Sequence, residues 1–295
     1  MTQGEAAQAL SSQAPPNLAI ICGQGDFPLR AAESAARQGC NVLMIGVRGV
    51  ASARIEAYPH VGLGLGELGA LFKCLRQRSI RRLAIAGGMT RPALREIRMD
   101  FGGLKRLTAI AKLFLGGDNH LLSGLVGLIE NEGVAVVGID AIAPELLAQA
   151  GLATRNAPNK QADADLALGR SFIDAASPFD VGQAVVAAGG RILAVEAAEG
   201  TDAMLERIAA LRSSGRLRLK GRAGVLVKAP KRGQDLRIDL PAIGPRTIEL
   251  AAAAELEGVS LAAGKVLVLD QSERARQADA AGLFLQGYTT DAGAA

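Results

Sequence analysis

The chain has 295 residues, of which 49% are hydrophobic and 21% are charged, a balance typical of a globular protein with one large or two modest domains. It contains no Trp, two Tyr and seven Phe, so the core is expected to be aliphatic. These few aromatic residues and a net charge of only +4 disfavour a nucleic-acid-binding protein. No apolar run reaches the roughly eighteen residues that a membrane-spanning helix requires.

The amino terminus and the cysteines indicate the compartment. Residues 1–16 are polar and alanine-rich, and they predict a disordered leader rather than a secretory signal. Cys22, Cys40 and Cys74 are odd in number and lack metal-binding spacing, so we expect small buried hydrophobes in a reducing compartment. The sequence therefore predicts a cytoplasmic protein, or one that is peripheral to the inner membrane.

Strand and helix patterns alternate in the first half of the chain. The predicted strands are 17–22, 41–47, 83–86 and 134–138, and the predicted helices begin near Pro28 and cover 67–77, 109–114 and 120–130. This alternation predicts an N-terminal α/β domain, residues 17–150, with a mostly parallel sheet.

The pattern lapses at residues 151–160, which are rich in Gly, Asn, Pro and Lys and are predicted to form a linker. Beyond it the predicted helices are 162–176, 201–211, 245–256 and 273–280, and the predicted strands are 183–186, 192–195, 224–227, 265–269 and 283–286. The strands 183–186 and 192–195 flank Gly189 and Gly190 and are predicted to form a hairpin. Residues 161–290 are therefore predicted to form a C-terminal mixed α/β domain.

Two glycine loops follow predicted strands in the first domain. The loop at 23–28, GQGDFP, precedes a helix, and its backbone amides around Gly23 and Gly25 could meet an anion. It lacks the third glycine of the dinucleotide fingerprint, because Pro28 stands there. Gly88 lies in a similar loop at 87–92. A nucleotide-binding turn and a tight structural turn both remain open.

Two further segments place polar residues at the starts of predicted helices. In GGDNHLLSG, residues 116–124, Asp118 or Asn119 is predicted to cap a helix. In 196–207, Glu196, Glu199 and Asp202 lie between a strand and a helix that Thr201 is predicted to cap. The same acidic oxygens could instead ligate a metal, and the two interpretations are compatible.

The segment 228–246, KAPKRGQDLRIDLPAIGPR, combines cations, carboxylates and prolines directly after an apolar run. Cations bind phosphate oxygens, and carboxylates bind magnesium or manganese. Ligands in α/β proteins usually lie past strand ends. A phosphate–metal site and a solvated charged loop are both consistent with this segment alone.

Several long motifs resemble one family. VGQAVV, AVEAAEGTDAM, GVLVKAPKRGQDLRIDLPAIGPRT and AGKVLVLD follow one another between residues 181 and 270. They are similar to the LpxI family of UDP-2,3-diacylglucosamine hydrolases in Gram-negative lipid A synthesis. LAIICGQGDFP, AGGMTRP and GGDNHLLSGL fit the same family, so the resemblance covers about residues 17–288.

The resemblance implies a two-domain enzyme with its active site between the domains. It would hydrolyse the pyrophosphate of UDP-2,3-diacylglucosamine to UMP and 2,3-diacylglucosamine 1-phosphate (lipid X), using Mg²⁺ or Mn²⁺. Asp239 is the implied catalytic residue, with Asp235 as a second candidate, and our hypothesis is that the metal ligands are Asp239, Asp202, Glu199 and Asp235. The expected substrate-binding residues are Gly23, Gly25, Gly88, Asn119, Gln183, Thr201, Lys228, Lys231 and Arg237.

The expected partners are the lipid-linked nucleotide sugar and, transiently, the inner-membrane surface, which arginine clusters such as 212–222 would contact. A homodimer is compatible with the sequence, and no nucleic acid is expected. Two alternatives remain: a non-catalytic nucleotide-sugar or lipid-binding regulator, and another nucleotide-using α/β enzyme such as a transferase or dehydrogenase.

Overall fold

The computed structural model describes residues 17–89, 99–105 and 118–289, without the side chains of 104, 105 and 118–121. The predicted leader, residues 1–16, and the predicted helix 109–114 lie outside the described residues. The chain divides into two compact units. Unit 1 comprises Met1–Pro144 and Arg237–Asp239, and unit 2 comprises Glu145–Leu236 and Leu240–Ala295.

Unit 1 contains a five-stranded parallel sheet in the order β3-β2-β1-β4-β5. Its strands are β1 Leu18–Cys22, β2 Val42–Val47, β3 His60–Leu63, β4 Arg82–Ala86 and β5 Ala135–Val136. Its helices are α1 Phe27–Arg37, α2 Leu68–Gln77, α3 Phe101–Lys105, α4 Asp118–Glu130 and α5 Ile139–Ile142. The predicted parallel α/β class is confirmed.

The central strands of unit 1 are continuous apolar runs because both faces of a parallel sheet are covered. Strand β2 is buried at every position, and β1 at all but one. Strands β1 and β4 are neighbours in the sheet. From β1 the chain continues to β2 and β3 on one side, whereas β4 is followed by β5 on the other side. The loops after these two strands therefore border the crevice in which open α/β sheets usually bind ligands.

Unit 2 contains a six-stranded mixed sheet in the order β6-β13-β11-β9-β7-β8. Its strands are β6 Gly151–Leu152, β7 Ala184–Ala188, β8 Arg191–Val195, β9 Val225–Lys228, β11 Gly258–Ala262 and β13 Phe284–Tyr288. Strands β9, β11 and β13 run parallel, whereas β6, β7 and β8 pair antiparallel with their neighbours. A separate parallel pair joins β10 Ala242–Ile243 to β12 Leu267–Val268.

The described part of unit 2 contains four α-helices: α6 Lys160–Ala176, α7 Gly200–Ser213, α8 Pro245–Ala253 and α9 Gln271–Ala280. The predicted hairpin is β7–β8, and a buried carboxylate fixes its turn. Asp165 of α6 is 1% exposed and accepts hydrogen bonds from the backbone N–H groups of Gly189 (2.9 Å) and Gly190 (2.7 Å). These two hydrogen bonds hold the turn of the hairpin to α6.

The structure places the boundary between the units differently from the prediction. The division falls after Pro144, whereas residues 151–160 were expected to be a linker. Gly151 and Leu152 instead pair with β13 as an edge strand. Asn159 caps α6, since its side chain accepts from the N–H groups of Gln161 and Ala162, both at 2.9 Å. The Gly- and Asn-rich composition thus reflects a sheet edge and a helix cap.

Candidate functional site

The two glycine loops of unit 1 are joined to each other at the carboxyl ends of β1 and β4. Gly23 donates its N–H to the carbonyl of Ala86 (2.8 Å). Gln24 donates to the carbonyl of Gly88 (2.7 Å), and Gly88 donates back to Gln24 (3.2 Å). Gly25 has φ +84°, a conformation that favours glycine. The predicted substrate residues Gly23, Gly25 and Gly88 therefore lie in one pair of hydrogen-bonded loops.

A second group of predicted residues meets at one edge of the unit 2 sheet. Gln183 precedes β7, Glu196 follows β8, and Lys228 ends β9. Because β7 is antiparallel to both β8 and β9, its first residue lies beside their last residues. Thr201 reaches the same edge from the first turn of α7. Glu196 is 8% exposed and Lys228 is 4% exposed, so this edge is buried.

A directed chain of hydrogen bonds connects these side chains. Lys228 Nζ lies 2.5 Å from Thr201 Oγ1, and that oxygen lies 2.5 Å from Glu196 Oε1. An ammonium group has only donors and a carboxylate only acceptors, so the threonine hydroxyl accepts from the lysine and donates to the glutamate. Gln183 donates its backbone N–H to Glu196 Oε2 (2.7 Å). We name Gln183, Glu196, Thr201 and Lys228 the sheet-end group.

Thr201 does not cap helix α7, although the sequence predicted that it would. Helix α7 begins at Gly200, its N-cap is Glu199, and no side-chain cap bond forms there. The hydroxyl is unavailable for capping because Lys228 and Glu196 engage it. The prediction of Thr201 as the N-cap is therefore wrong.

The loop that follows β9 is tied to the carboxyl end of α6. Lys231 Nζ lies 2.5 Å from Asp180 Oδ1. Arg232 donates its N–H to Ser177 Oγ (2.9 Å), and its guanidinium pairs with Asp174 (3.2 Å). Lys231 was predicted to contact phosphate, so a phosphate in that position would have to compete with Asp180 for the ammonium.

Two of the predicted metal ligands are paired with arginines. Glu199 Oε1 lies 3.0 Å from Arg207 Nη2, and Asp202 Oδ2 lies 3.2 Å from Arg246 Nε. Among the described residues, no group of three or more His, Cys, Asp or Glu side chains is arranged to hold a metal ion. The predicted acidic set is therefore not a preassembled metal cage in this part of the chain.

The two other acidic candidates belong to different units. Asp235 lies in unit 2, whereas the short segment Arg237–Asp239 belongs to unit 1. Arg237 Nη1 pairs with Glu130 Oε1 of α4 at 2.8 Å, and Ile238 packs against the apolar core of unit 1. The predicted catalytic residue, Asp239, is therefore carried by unit 1 although it follows the β9 loop in sequence. In sequence, Asp239 lies within the predicted C-terminal domain, residues 161–290.

Two parts of the predicted site lie outside the described residues and side chains. Asn119 lies in α4, but its side chain is not described, and TRP of the AGGMTRP motif, at 90–92, lies outside the described residues. The prediction also left Glu196 out of its set of site residues. The sequence did contain an indication for Glu196, because an acidic residue directly follows a strand of the predicted hairpin.

The burial of Cys22 makes it a poor candidate for a nucleophile. All three are free, Cys22 is buried, and Cys40 and Cys74 are half-buried. Burial raises the pKa of Cys22 to about 12, although a backbone hydrogen bond from Ile45 acts in the opposite direction. A thiol with so high a pKa is almost entirely protonated at neutral pH and is a poor nucleophile.

No helix within the described ranges has the length and apolar character needed to cross a bilayer.

Comparison with known proteins matches both halves of the chain to one family. Residues 17–146 match the LpxI N-terminal domain, and residues 149–286 match the LpxI C-terminal domain. The chain is also 36% identical over 270 residues to the UDP-2,3-diacylglucosamine pyrophosphatase LpxI of Caulobacter vibrioides, which covers 92% of this chain and 96% of that protein. The domain matches meet close to the boundary between the two units. The chain therefore belongs to the LpxI family.

Proposed function

We propose that this protein hydrolyses the pyrophosphate bond of UDP-2,3-diacylglucosamine to give UMP and 2,3-diacylglucosamine 1-phosphate. The observation that carries this function is the nearly full-length similarity to the C. vibrioides pyrophosphatase. The two units of the fold correspond to the two domains of the family. A diphosphate hydrolase is therefore the activity that the chain supports best.

The reaction makes limited demands on the protein. A water oxygen bonds to one phosphorus, the bond from that phosphorus to the bridging oxygen breaks, and the water gives up a proton. Positioning of the water and neutralisation of phosphoryl charge supply most of the catalysis in such reactions. We assign Asp239 to orienting the water or binding the metal, and Lys228, Lys231 and Arg237 to the phosphate oxygens.

Lys228 is the cation whose placement favours this role most directly. It ends a buried strand, where ligands of α/β proteins are commonly bound, and its ammonium is fixed by Thr201. Lys231 and Arg237 form close ion pairs with Asp180 (2.5 Å) and Glu130 (2.8 Å), whereas Glu196 Oε1 lies 3.7 Å from Lys228 Nζ. We therefore expect Lys228 to contribute more to binding than either of the other two.

A divalent cation, Mg²⁺ or Mn²⁺, is part of the proposal. Mg²⁺ is usually bound by one or two carboxylates together with substrate phosphates rather than by a cage of protein ligands. The lack of a three-residue cage among the described residues is compatible with that kind of site. Asp239 would hold the ion, with Asp235, Glu199 or Asp202 as its partner. When bound, the ion would neutralise negative charge on the phosphoryl oxygens.

Transient contact with an anionic membrane surface is also proposed, because the substrate carries two fatty chains. The loop between α7 and β9 exposes Arg216, Arg218, Lys220 and Arg222. None of these four has a carboxylate partner in the described part of the chain. We name them the basic loop. Such clusters bind anionic lipid surfaces with about 1 kcal/mol for each cation.

The position of the basic loop limits what this contact can do. It follows the carboxyl end of α7, whereas Thr201 lies in the first turn of that helix. A helix of 14 residues is about 21 Å long. Docking through the basic loop would therefore retain the protein at a surface without placing the sheet-end group in the bilayer.

Product analysis tests the proposed function. Purified protein is incubated with UDP-2,3-diacylglucosamine and Mg²⁺ or Mn²⁺, and the products are identified by mass spectrometry. We expect UMP and 2,3-diacylglucosamine 1-phosphate in equal amounts, and loss of both after chelation with recovery on adding back the metal. Binding of the substrate without release of UMP would instead favour a non-catalytic regulator.

A further inference from the structure

Glu196 is the buried acid at the centre of the sheet-end group, and its two oxygens are both used by protein donors. Oε1 accepts from the Thr201 hydroxyl at 2.5 Å and lies 3.7 Å from Lys228 Nζ. Oε2 accepts from the Gln183 N–H at 2.7 Å. A carboxylate whose oxygens are occupied in this way acts on its neighbours rather than on a ligand.

The backbone around Glu196 is also fixed. Its carbonyl accepts from the N–H of Gly182 (2.9 Å), and its own N–H donates to the carbonyl of Ala184 (2.9 Å). Gly182 packs against the side chain so closely that a Cβ built there would lie 2.6 Å from Glu196 Cβ. The carboxylate therefore has little freedom to change its position.

This fixed carboxylate influences the hydroxyl orientation of Thr201 and the electrostatic environment of the Lys228 ammonium. It requires the hydroxyl of Thr201 to point its hydrogen toward Oε1, which leaves the hydroxyl lone pairs for Lys228. It also provides a negative charge near the buried ammonium, which would otherwise be expensive to bury. Without Glu196, the hydroxyl of Thr201 loses the acceptor that sets its direction, and the ammonium of Lys228 loses the negative charge 3.7 Å away.

We propose that Glu196 is a positioning residue, which holds Thr201 and Lys228 in the geometry needed to bind the pyrophosphate. This role rests on the hydrolysis proposed above and adds a residue that does not itself touch substrate. It predicts that Glu196 and Thr201 act as one unit, because both act on the same ammonium group: Thr201 through a hydrogen bond, and Glu196 through Thr201 and through its charge 3.7 Å away.

A double-mutant cycle tests this unit through kcat and KM. Glu196→Gln keeps the shape but offers one acceptor oxygen to two donors, so one of the two bonds must be lost. Thr201→Val keeps the volume but removes the hydroxyl. Displacing a positioned group by about 1 Å can reduce a rate about 100-fold, so each variant should lower kcat/KM by about 10- to 100-fold.

The double variant should lose less activity than the product of the two single losses, since both substitutions act on the same ammonium group. Thr201→Ser, which retains a hydroxyl, should recover most of the activity that Thr201→Val loses. Glu255→Gln is the matched control, because it removes an acid that pairs with Arg212 at the other end of α7. It should change neither kcat nor KM.

The possible results separate the two proposals. Wild-type kinetics in folded Glu196→Gln, or a lowered melting temperature with unchanged kcat/KM, would overturn the positioning role but leave the hydrolase assignment intact. Losses that multiply in the double variant would overturn the claim that the two residues form one unit. If the wild-type protein releases no UMP, the proposed function fails and the positioning role fails with it.

Discussion

Gly23 and Gly87 lie so close together that a Cβ built on Gly23 would be 2.8 Å from the Gly87 carbonyl oxygen. A Cβ on Gly87 would in turn be 2.6 Å from the carbonyl oxygen of Gln24. The atoms that would clash are backbone atoms of the two loops, which cannot move independently because hydrogen bonds join them. The crevice at the ends of β1 and β4 therefore depends on glycine at both positions.

Gly87→Ala is expected to destabilise the protein. Gly87 has φ +93°, where an alanine is strained, and its Cβ would also displace Gln24. We expect a loss of about 1–3 kcal/mol of unfolding free energy, measured by urea denaturation. Gly88→Ala is the matched control for stability, because a Cβ there would meet nothing within 4 Å. Equal stability of the two variants would contradict this reading of the loops.

Asp100 links the first turns of two helices. Its carboxylate accepts from the N–H groups of Gly69 (3.1 Å) and Ala70 (2.8 Å) in α2 and of Gly103 (2.7 Å) in α3. Asp100→Asn replaces one acceptor oxygen by a donor that faces these N–H groups. We expect it to lower the unfolding free energy at pH 7 by about 1–3 kcal/mol.

The pH dependence of stability checks the same carboxylate. Partial burial acts to raise the pKa of Asp100, but the backbone hydrogen bonds outweigh it, so the pKa is lowered from 3.8. A lowered folded-state pKa adds stability that is fully present above the unfolded-state value and is lost as the pH falls through the folded-state value. The difference between wild type and Asp100→Asn should therefore narrow below about pH 4. A constant difference down to pH 2 would contradict this assignment.

Replacing Arg274 by an apolar residue is expected to increase the free energy of unfolding. It is 7% exposed, and its Nε and Nη1 are buried without a hydrogen-bond partner among the described residues. An uncompensated buried cation is costly, so Arg274→Met should raise the unfolding free energy by about 1 kcal/mol or more. Arg276→Met, on the same helix but exposed and paired with Glu273, should change it by less than about 0.5 kcal/mol. A loss of stability in Arg274→Met would show that the guanidinium is satisfied.

The basic loop predicts salt-sensitive binding to anionic vesicles. Replacing Arg216, Arg218, Lys220 and Arg222 by Gln should reduce binding to vesicles of phosphatidylglycerol and phosphatidylcholine by at least 100-fold at low salt, because each cation contributes about 1 kcal/mol. Co-sedimentation at several salt concentrations measures the effect. The control variant removes the same charge at four exposed arginines outside the loop, Arg78, Arg155, Arg191 and Arg276. Equal binding by the two quadruple variants would exclude a specific role for the basic loop.

The elements that could be predicted from sequence are those with a strong local signal. The strands β1, β2 and β4 are continuous aliphatic runs, and their observed limits differ from the predicted ones by one residue at most. Four strands within the described residues were not predicted, namely β3, β6, β10 and β11, of which β6 and β10 have only two residues each. Strand β3 is a short edge strand with half of its positions exposed, and β11 is rich in Gly, Ser and Ala, so its buried central position has little hydrophobic signal.

The site was less predictable because its residues depend on long-range pairing. Glu196 and Glu199 look alike in sequence, as acidic residues between a strand and a helix. Only the antiparallel pairing of β7 with β8 and β9 places Glu196 in a buried network, while Glu199 faces Arg207 at the surface. Likewise, nothing local distinguishes Asp235 from Asp239, although the chain passes from unit 2 into unit 1 between them.

The most direct test of the account is the rate of UMP release by Asp239→Asn compared with wild type, at saturating UDP-2,3-diacylglucosamine and Mg²⁺. We expect kcat to fall by at least about 100-fold while the melting temperature is unchanged, because the variant loses the carboxylate that orients water or binds the ion. Asp235→Asn is the neighbouring comparison and should lose less. A folded Asp239→Asn protein with near-wild-type kcat would contradict the central claim.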